Sequence, residues 1–150
     1  MHQRDPPAPN ATASDGASEL HITVTWNDVS GESSYEVWRN TSNDPGTATY
    51  LATKAANVTT HTDASATPGQ RYYYWIKAAN CAGDSAFGSG DYGYRKLSTV
   101  DNVIASYNAF TNRVEIEWSD VQGETGYGIY RYTSDNSGSA SHIGTRSRGN

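Results

Sequence analysis

Shifted by 92 residues, the chain lies over itself. HITVTWNDVSGESSYEVWRNTS at 21–42 covers RVEIEWSDVQGETGYGIYRYTS at 113–134. Between 8–54 and 100–146 there are no gaps, and 16 of 47 pairs are identical. Trp26 falls on Trp118, Asp28 on Asp120, Gly31-Glu32 on Gly123-Glu124, Tyr35 on Tyr127 and Arg39 on Arg131. Others exchange like for like, among them Ile22/Val114, Val24/Ile116, Val37/Ile129 and Leu51/Ile143. A fixed period with Trp, Tyr and Gly in register marks duplicated units, and a period of about 90 residues is a whole small domain, longer than a solenoid repeat. The second copy reaches Asn150 without anything corresponding to residues 59–96. The expected organisation is therefore a complete domain over 6–97, then the N-terminal half of a second over 98–150.

Within the first copy the periodicity is that of strands. Leu20, Ile22, Val24 and Trp26 alternate with His21, Thr23 and Thr25, which predicts a half-buried strand. Tyr35 and Val37 alternate with Glu36 and Trp38, and Leu51 is the inward residue of a short strand over 48–54. A weaker polar strand is expected over 57–63. The strongest lies over 71–80, with Tyr72, Tyr74, Ile76 and Ala78 on one side and Tyr73, Trp75 and Lys77 on the other. A last strand over 91–97 and an opening one near 10–14 make seven. Turn clusters separate them at TSNDPG (41–46), ATPGQ (66–70) and CAGDSAFGSG (81–90). Apolar residues make up 35% of the chain, which suits a thin core between two sheets. Seven short strands with such spacing predict an all-β, immunoglobulin-like sandwich.

These residues resemble the fibronectin type III family. Trp26 is similar to its core tryptophan, and Tyr35 to Val37 to its third strand. ATPGQRYYYWIKAANCAG at 66–83 resembles its Pro-Gly turn, sixth strand and Asn-x-x-Gly turn. The resemblance implies that Trp26, Tyr35 and Tyr72 form the structural core, and that the Tyr72 hydroxyl bonds back to upstream backbone as a tyrosine corner. It covers about 6–96 in full and 97–150 only through the fourth strand, and is especially like tandem modules of secreted bacterial proteins. Two positions depart from the family pattern: Ala66 replaces a bulkier aliphatic, and His61 stands where a tyrosine is frequent.

Several function classes lack support. The net charge of −5 is spread along the chain, with no basic stripe for nucleic acid. No apolar run approaches the roughly 18 residues of a membrane span. MHQRDPPAPN has no apolar segment of a secretory signal, so an export signal, if used, is expected outside this segment. The histidines are His2, His21, His61 and His142, and none accompanies a nucleophile elbow. HTD at 61–63 lacks further ligands for a metal and is expected to be a strand residue followed by a turn-forming Asp. Asp28, Glu32 and Glu36 are expected to be solvated. Neither metal nor cofactor is expected. The single cysteine, Cys81, excludes an intrachain disulfide and is expected to be a small loop filler. Asn10, Asn40 and Asn57 stand in N-x-Ser/Thr sequons.

The candidate binding surface is aromatic. Alternation turns Trp38, Tyr73 and Trp75 away from the core, and in the resembled fold the third and sixth strands are neighbours. Trp38 and Trp75 are expected to meet there, flanked by Glu36 and Lys77 and joined by Tyr50. The favoured expectation is an extracellular, non-catalytic spacer and protein-interaction module of a larger secreted or cell-surface protein. Its partners would be neighbouring domains of the same polypeptide. The alternative is a carbohydrate-binding accessory module that stacks a polysaccharide on Trp38, Tyr73 and Trp75.

Overall fold

The computed structural model describes residues 3–148. His2 and the last two residues of the expected second domain lie outside them. The chain divides into two compact units, one ending at Leu97 and one beginning at Ser98. The described residues are all-β, with antiparallel sheets and no α-helix.

The first unit has seven strands: β1 (Ala11–Ala13), β2 (Ile22–Trp26), β3 (Ser34–Asn40), β4 (Thr49–Ala55), β5 (Thr60–Asp63), β6 (Arg71–Ala79) and β7 (Asp91–Tyr94). They form two sheets, ordered β1-β2-β5 and β4-β3-β6-β7. Period-two patterning fixes which side of each strand is buried. Ile22, Val24 and Trp26 of β2 meet Tyr35 and Val37 of β3 and Tyr72, Tyr74, Ile76 and Ala78 of β6 in one core. Burying each of the larger of these side chains contributes about 1.5–3 kcal/mol. Trp26 and Tyr35 pack edge to face at 5.6 Å. After β1 the chain leaves the first sheet and crosses to the second. The Tyr94 amide donates to the Ser14 carbonyl at 3.2 Å, and the Gly16 amide to the Tyr94 carbonyl at 2.9 Å. That crossing covers the outer edge of β7.

Three strand expectations need adjustment. Leu20 is 72% exposed. Its amide is taken by the Ser18 hydroxyl at 3.0 Å in a bend, so the alternation begins at Ile22. The polar strand starts at Thr60, because Asn57 sits at φ +62 and turns the chain. The last strand ends at Tyr94, where pairing passes to residues 14–18. Leu51 lies half-buried against the core.

The second unit holds β8 (Ile104–Ala105), β9 (Ile116–Glu117), β10 (Gly126–Arg131) and β11 (Ser141–Ser147), paired as β8-β9 and β10-β11. Its local geometry repeats the first unit at the same 92-residue offset. The 3-10 turns Pro45–Thr47 and Ser137–Ser139 correspond, each opened by an Asx side chain, Asp44 or Asn136, that accepts the amide of Gly46 or Gly138. The β3–β4 register slips between Val37 and Trp38, and the β10–β11 register between Ile129 and Tyr130. Gly31 and Gly123 stand at φ +83 and +87. Trp118 and Tyr127 pack edge to face at 5.3 Å, as Trp26 and Tyr35 do.

Candidate functional site

The outward aromatics lie on the β4-β3-β6-β7 sheet. Trp38 stands opposite Tyr50 on one side and Trp75 on the other, and Tyr73 stands opposite Tyr92. The result is a continuous band across four strands. Trp38 meets Tyr50 edge on at 5.7 Å, Tyr73 stacks on Trp75 at 6.3 Å, and Tyr73 meets Tyr92 at 5.9 Å. Arg71 closes the far end, its guanidinium 4.2 Å from the Tyr92 ring centre.

Trp75 departs from the surface expected for it. It points outward yet is only 4% exposed. The cover is Phe87, from the loop between β6 and β7, which sits 5.6 Å from the Trp38 ring and 6.5 Å from Trp75. The two tryptophans are thus bridged by a phenylalanine that sequence patterning missed. Residues 81–90 have no alternation, but they run along the free length of β6 as an irregular strand. The Ser85 amide donates to the Ala78 carbonyl, the Ser85 hydroxyl accepts from the Ala78 amide, and the Gly88 amide donates to the Ile76 carbonyl. Gly88 and Gly90 allow this approach: a Cβ at Gly88 would run into the Pro9 carbonyl, and one at Gly90 into the Trp75 indole.

Charge on the band is also spent internally. The Trp38 indole donates to Glu36 Oε2 at 3.0 Å, and Lys77 Nζ lies 4.5 Å from the Phe87 ring centre and 5.4 Å from that of Trp38. Glu36 and Lys77 pair in register as expected, but each turns to an aromatic neighbour. What remains half-exposed is Tyr50, Trp38, Tyr73 and Tyr92.

The buried acid of the first unit is Asp63, 2% exposed. It is the Asp of HTD and does initiate a turn, since the Ser65 amide donates to Oδ1 at 3.0 Å. It also accepts from Ser65 Oγ at 2.7 Å, Tyr74 OH at 2.7 Å and Arg39 Nη1 at 2.8 Å. Burial pushes this carboxyl up, but the hydrogen bonds from Ser65, Tyr74 and Arg39 and the Arg39 charge outweigh it and hold Asp63 below the usual carboxylate range. Burial and the bond to Asp63 together raise the Tyr74 hydroxyl. Arg39 also lies 4.6 Å over the Tyr72 ring. Burial, then the Lys54 charge, lowers His61, whose Nδ1 is buried without a partner.

The three acids expected to be solvated are engaged as well. The Tyr35 hydroxyl donates to Asp28 at 2.6 Å and accepts from the Val29 amide at 2.9 Å. Burial and the bond to Asp28 push that phenol up to about 12. Glu32 accepts the Asn57 amide at 3.0 Å. Asp28, Glu32 and Glu36 thus serve as acceptors within the sandwich, beyond the solvated role expected of them. Among the described residues no group of three His, Cys, Asp or Glu is placed to hold a metal, and no helix is long and apolar enough to cross a membrane. Exposed Cys81 donates to Gln3 Oε1 at 2.7 Å.

The Tyr72 hydroxyl accepts the Thr67 amide at 3.1 Å across the Pro68-Gly69 turn, with Gly69 at φ +73. This corner, the Trp26-centred core and the 3+4 sheet order decide the fold. The chain has a fibronectin type III-like fold. A fibronectin type III-like protein from Clostridium thermocellum is 28% identical, matching 64% of this chain and 100% of that one with a TM-score of 0.54. The chicken CNTN1 FN1–FN3 domains align over 98% of this chain and 56% of that one, at 20% identity and a TM-score of 0.50. Pectate lyase PelI from Erwinia chrysanthemi, solved with tetragalacturonic acid, aligns over 57% of this chain and 28% of that one, at 21% identity and a TM-score of 0.50. No family model matches the chain, and no curated protein matches it. The matched parts of the CNTN1 and PelI structures are sandwiches of this fold within longer chains. In this one the outer aromatic band and the buried Asp63 cluster add to the sandwich itself.

Proposed function

We propose that the chain is a non-catalytic spacer and interaction module of a larger secreted or cell-surface protein. Residues 6–97 would form one complete fibronectin type III-like domain and 98–150 the N-terminal half of another. Its partners are the neighbouring domains of the same polypeptide. One observation carries this reading: the first unit's chemistry-bearing side chains are spent on the scaffold. Asp63, Arg39 and Tyr74 satisfy one another, Asp28 holds Tyr35, and Phe87 and Lys77 cap the tryptophans. A sandwich so committed resists deformation, as a spacer must. The chicken CNTN1 array and the lyase chain supply precedents for such a module within longer proteins.

The carbohydrate reading rests on the half-exposed band from Tyr50 through Trp38 to Tyr73 and Tyr92. Its weak point is Trp75, buried under Phe87, and a Trp38 ring approached by Lys77. Affinity electrophoresis through gels containing pectin, xylan, cellulose derivatives or chitosan separates the two. Unchanged mobility on every polymer is expected for the spacer. Retardation that disappears in Trp38→Ala and Tyr50→Ala would replace that reading with the carbohydrate-binding one.

A further inference from the structure

The fold treats its three N-x-Ser/Thr sequons differently. Asn40 closes β3, and its carboxamide is saturated. Its Nδ2 donates to the Asp44 carbonyl and to Thr47 Oγ1, both at 2.8 Å. Its Oδ1 accepts the amides of Thr41 at 2.8 Å and Ser42 at 3.4 Å. Asn10 leads into β1. Its Oδ1 accepts the Ser89 amide at 3.0 Å, and its own amide donates to Asn27 Oδ1 at 2.7 Å. The rest of that sequon, Ala11 and Thr12, pairs with β2, and the Ala11 amide donates to the Ser89 carbonyl at 2.9 Å on the other side. Presenting either sequon to an enzyme requires a turn or a sheet edge to open. Asn57 is placed otherwise. It sits at φ +62 in the turn between β4 and β5, where the Val58 amide donates to the Ala55 carbonyl at 3.2 Å. Its backbone amide donates to Glu32 Oε1 at 3.0 Å, which pins the turn. Its side chain is exposed, and neither its carboxamide nor the Thr59 hydroxyl has a hydrogen-bond partner among the described residues. Val58 is 38% exposed, and β5 begins only at Thr60.

We propose that Asn57 is an N-glycan acceptor, selected over Asn10 and Asn40 because the folded sandwich leaves its carboxamide and its Thr59 hydroxyl free. The inference rests on the secreted reading above, since the transferase acts on chains in export. The donor is an oligosaccharide on a lipid pyrophosphate. A bond forms between Asn57 Nδ2 and the anomeric carbon of the first sugar. The bond from that carbon to the pyrophosphate oxygen breaks, the lipid pyrophosphate leaves, and one amide proton passes to a base of the transferase. Position gives the modification a role in a spacer. Ser34 pairs with both Ala55 and Ala79, so the Asn57 turn lies at the same end of the sandwich as the β2–β3 turn and the end of β6. A glycan there sets a bulky, hydrated group beside exposed Val58, and the bond from Asn57 to Glu32 holds its base to the domain. The same glycan on Asn40 would have to break the bonds that shape the turn after β3.

The test offers the folded full chain, made free of glycan, to an oligosaccharyltransferase that recognises N-x-Ser/Thr, with a lipid-linked oligosaccharide as donor. Release of the glycan by an amidase in oxygen-18 water converts each used asparagine to a labelled aspartate. Trypsin then reports the three sequons separately, in peptides 5–39, 40–54 and 55–71. The expected result is label in 55–71, with 5–39 and 40–54 lower by about tenfold or more, because their hydrogen bonds must open first. Synthetic peptides copying 8–14, 38–44 and 55–61 should all be accepted, which assigns the selection to the fold. Thr59→Val keeps the shape of the side chain, removes its hydroxyl and should abolish label in 55–71 while the β6 amides stay protected from exchange. An unlabelled 55–71 overturns the proposal. So does label in 40–54 or 5–39 equal to that in 55–71, and so does label that survives Thr59→Val. The transfer runs outside any cell, so its outcome is independent of the spacer reading, whose failure shows as retardation in the polymer gels.

Discussion

Replacing Asp63 by asparagine keeps the shape of the side chain and removes its charge. Four donors converge on that carboxylate, at 2.7–3.0 Å. The amide would leave the Arg39 guanidinium against the Tyr72 ring with no counter-charge and offer Tyr74 OH and Ser65 a weaker acceptor. Removing one partner of a buried ion pair costs about 3–5 kcal/mol. Arg39 retains 22% side-chain exposure, so water recovers part of its solvation and the lower end applies, about 3 kcal/mol. A domain stable by about 5–15 kcal/mol remains folded. The pH dependence gives a second, independent sign. Asp63 sits below its unfolded value of about 3.9, so its contribution is complete above that pH and is lost as pH falls through the folded value. The gap between wild type and Asp63→Asn should therefore be widest at neutral pH and shrink below about pH 4. Urea titrations followed through β6 amide peaks, at neutral pH and near pH 2.5, read this unit without interference from the second. A loss under about 1 kcal/mol, or a gap unchanged by acid, would refute the reasoning. Exchanging both partners, Arg39→Met with Asp63→Leu, should cost less than the sum of the two single changes.

Tyr72→Phe removes the acceptor for the Thr67 amide and should cost about 1 kcal/mol in the same titration, with the 66–70 amides exchanging faster. His61→Leu removes a buried, unpartnered nitrogen held neutral by burial and Lys54. The unfolded histidine takes a proton near pH 6.5 and the folded one only at lower pH, so wild-type stability falls as pH drops through that window. The variant's Tm advantage should be larger at pH 5 than at pH 8, and equal gains would contradict this. Gly90→Ala drives a methyl into the Trp75 indole and should destabilise by about 1–3 kcal/mol, with red-shifted tryptophan emission as Trp75 meets water.

What was legible in the sequence divides by range. The inner faces of β2, β3 and β6 followed from alternation because each has an unambiguous apolar set, Ile22 to Trp26, Tyr35 and Val37, and Tyr72 to Ala78. The pairing of Trp38 with Trp75 followed from the resembled fold. The burial of Trp75 did not, because Phe87 arrives from a loop with no periodicity, held by Ser85 and two glycines. Asp63 reads as a turn residue in HTD, and it is one. Its burial depends on Arg39 and Tyr74, which are 24 and 11 residues away and polar or aromatic enough to suit solvent equally. Leu20 misled for the opposite reason: apolar and in phase, it precedes the first paired residue, and Ser18 bends the chain before the sheet begins.

Comparing the two units separates what folds locally from what needs the whole sandwich. Trp118 and Tyr127 keep the edge-to-face geometry of Trp26 and Tyr35, and the Tyr127 hydroxyl still donates to Asp120 while accepting the Val121 amide. Those partners are close in sequence and share one turn, with Gly123 supplying the positive φ, so no opposing strand is needed to place them. Arg131 shows the other class. Arg39 owes its position to Asp63, Tyr72 and Ser65, all carried by β5, β6 and the turn between them, and none has a counterpart among the described residues of the second unit. The arginine is identical in both copies while its environment is not. An identical residue whose partners are distant records a requirement of the closed sandwich, and the exposed Val114 and Ile116 record the same requirement in apolar form. Both are met in the first unit, where β6 lies antiparallel on β3 and β5 on β2.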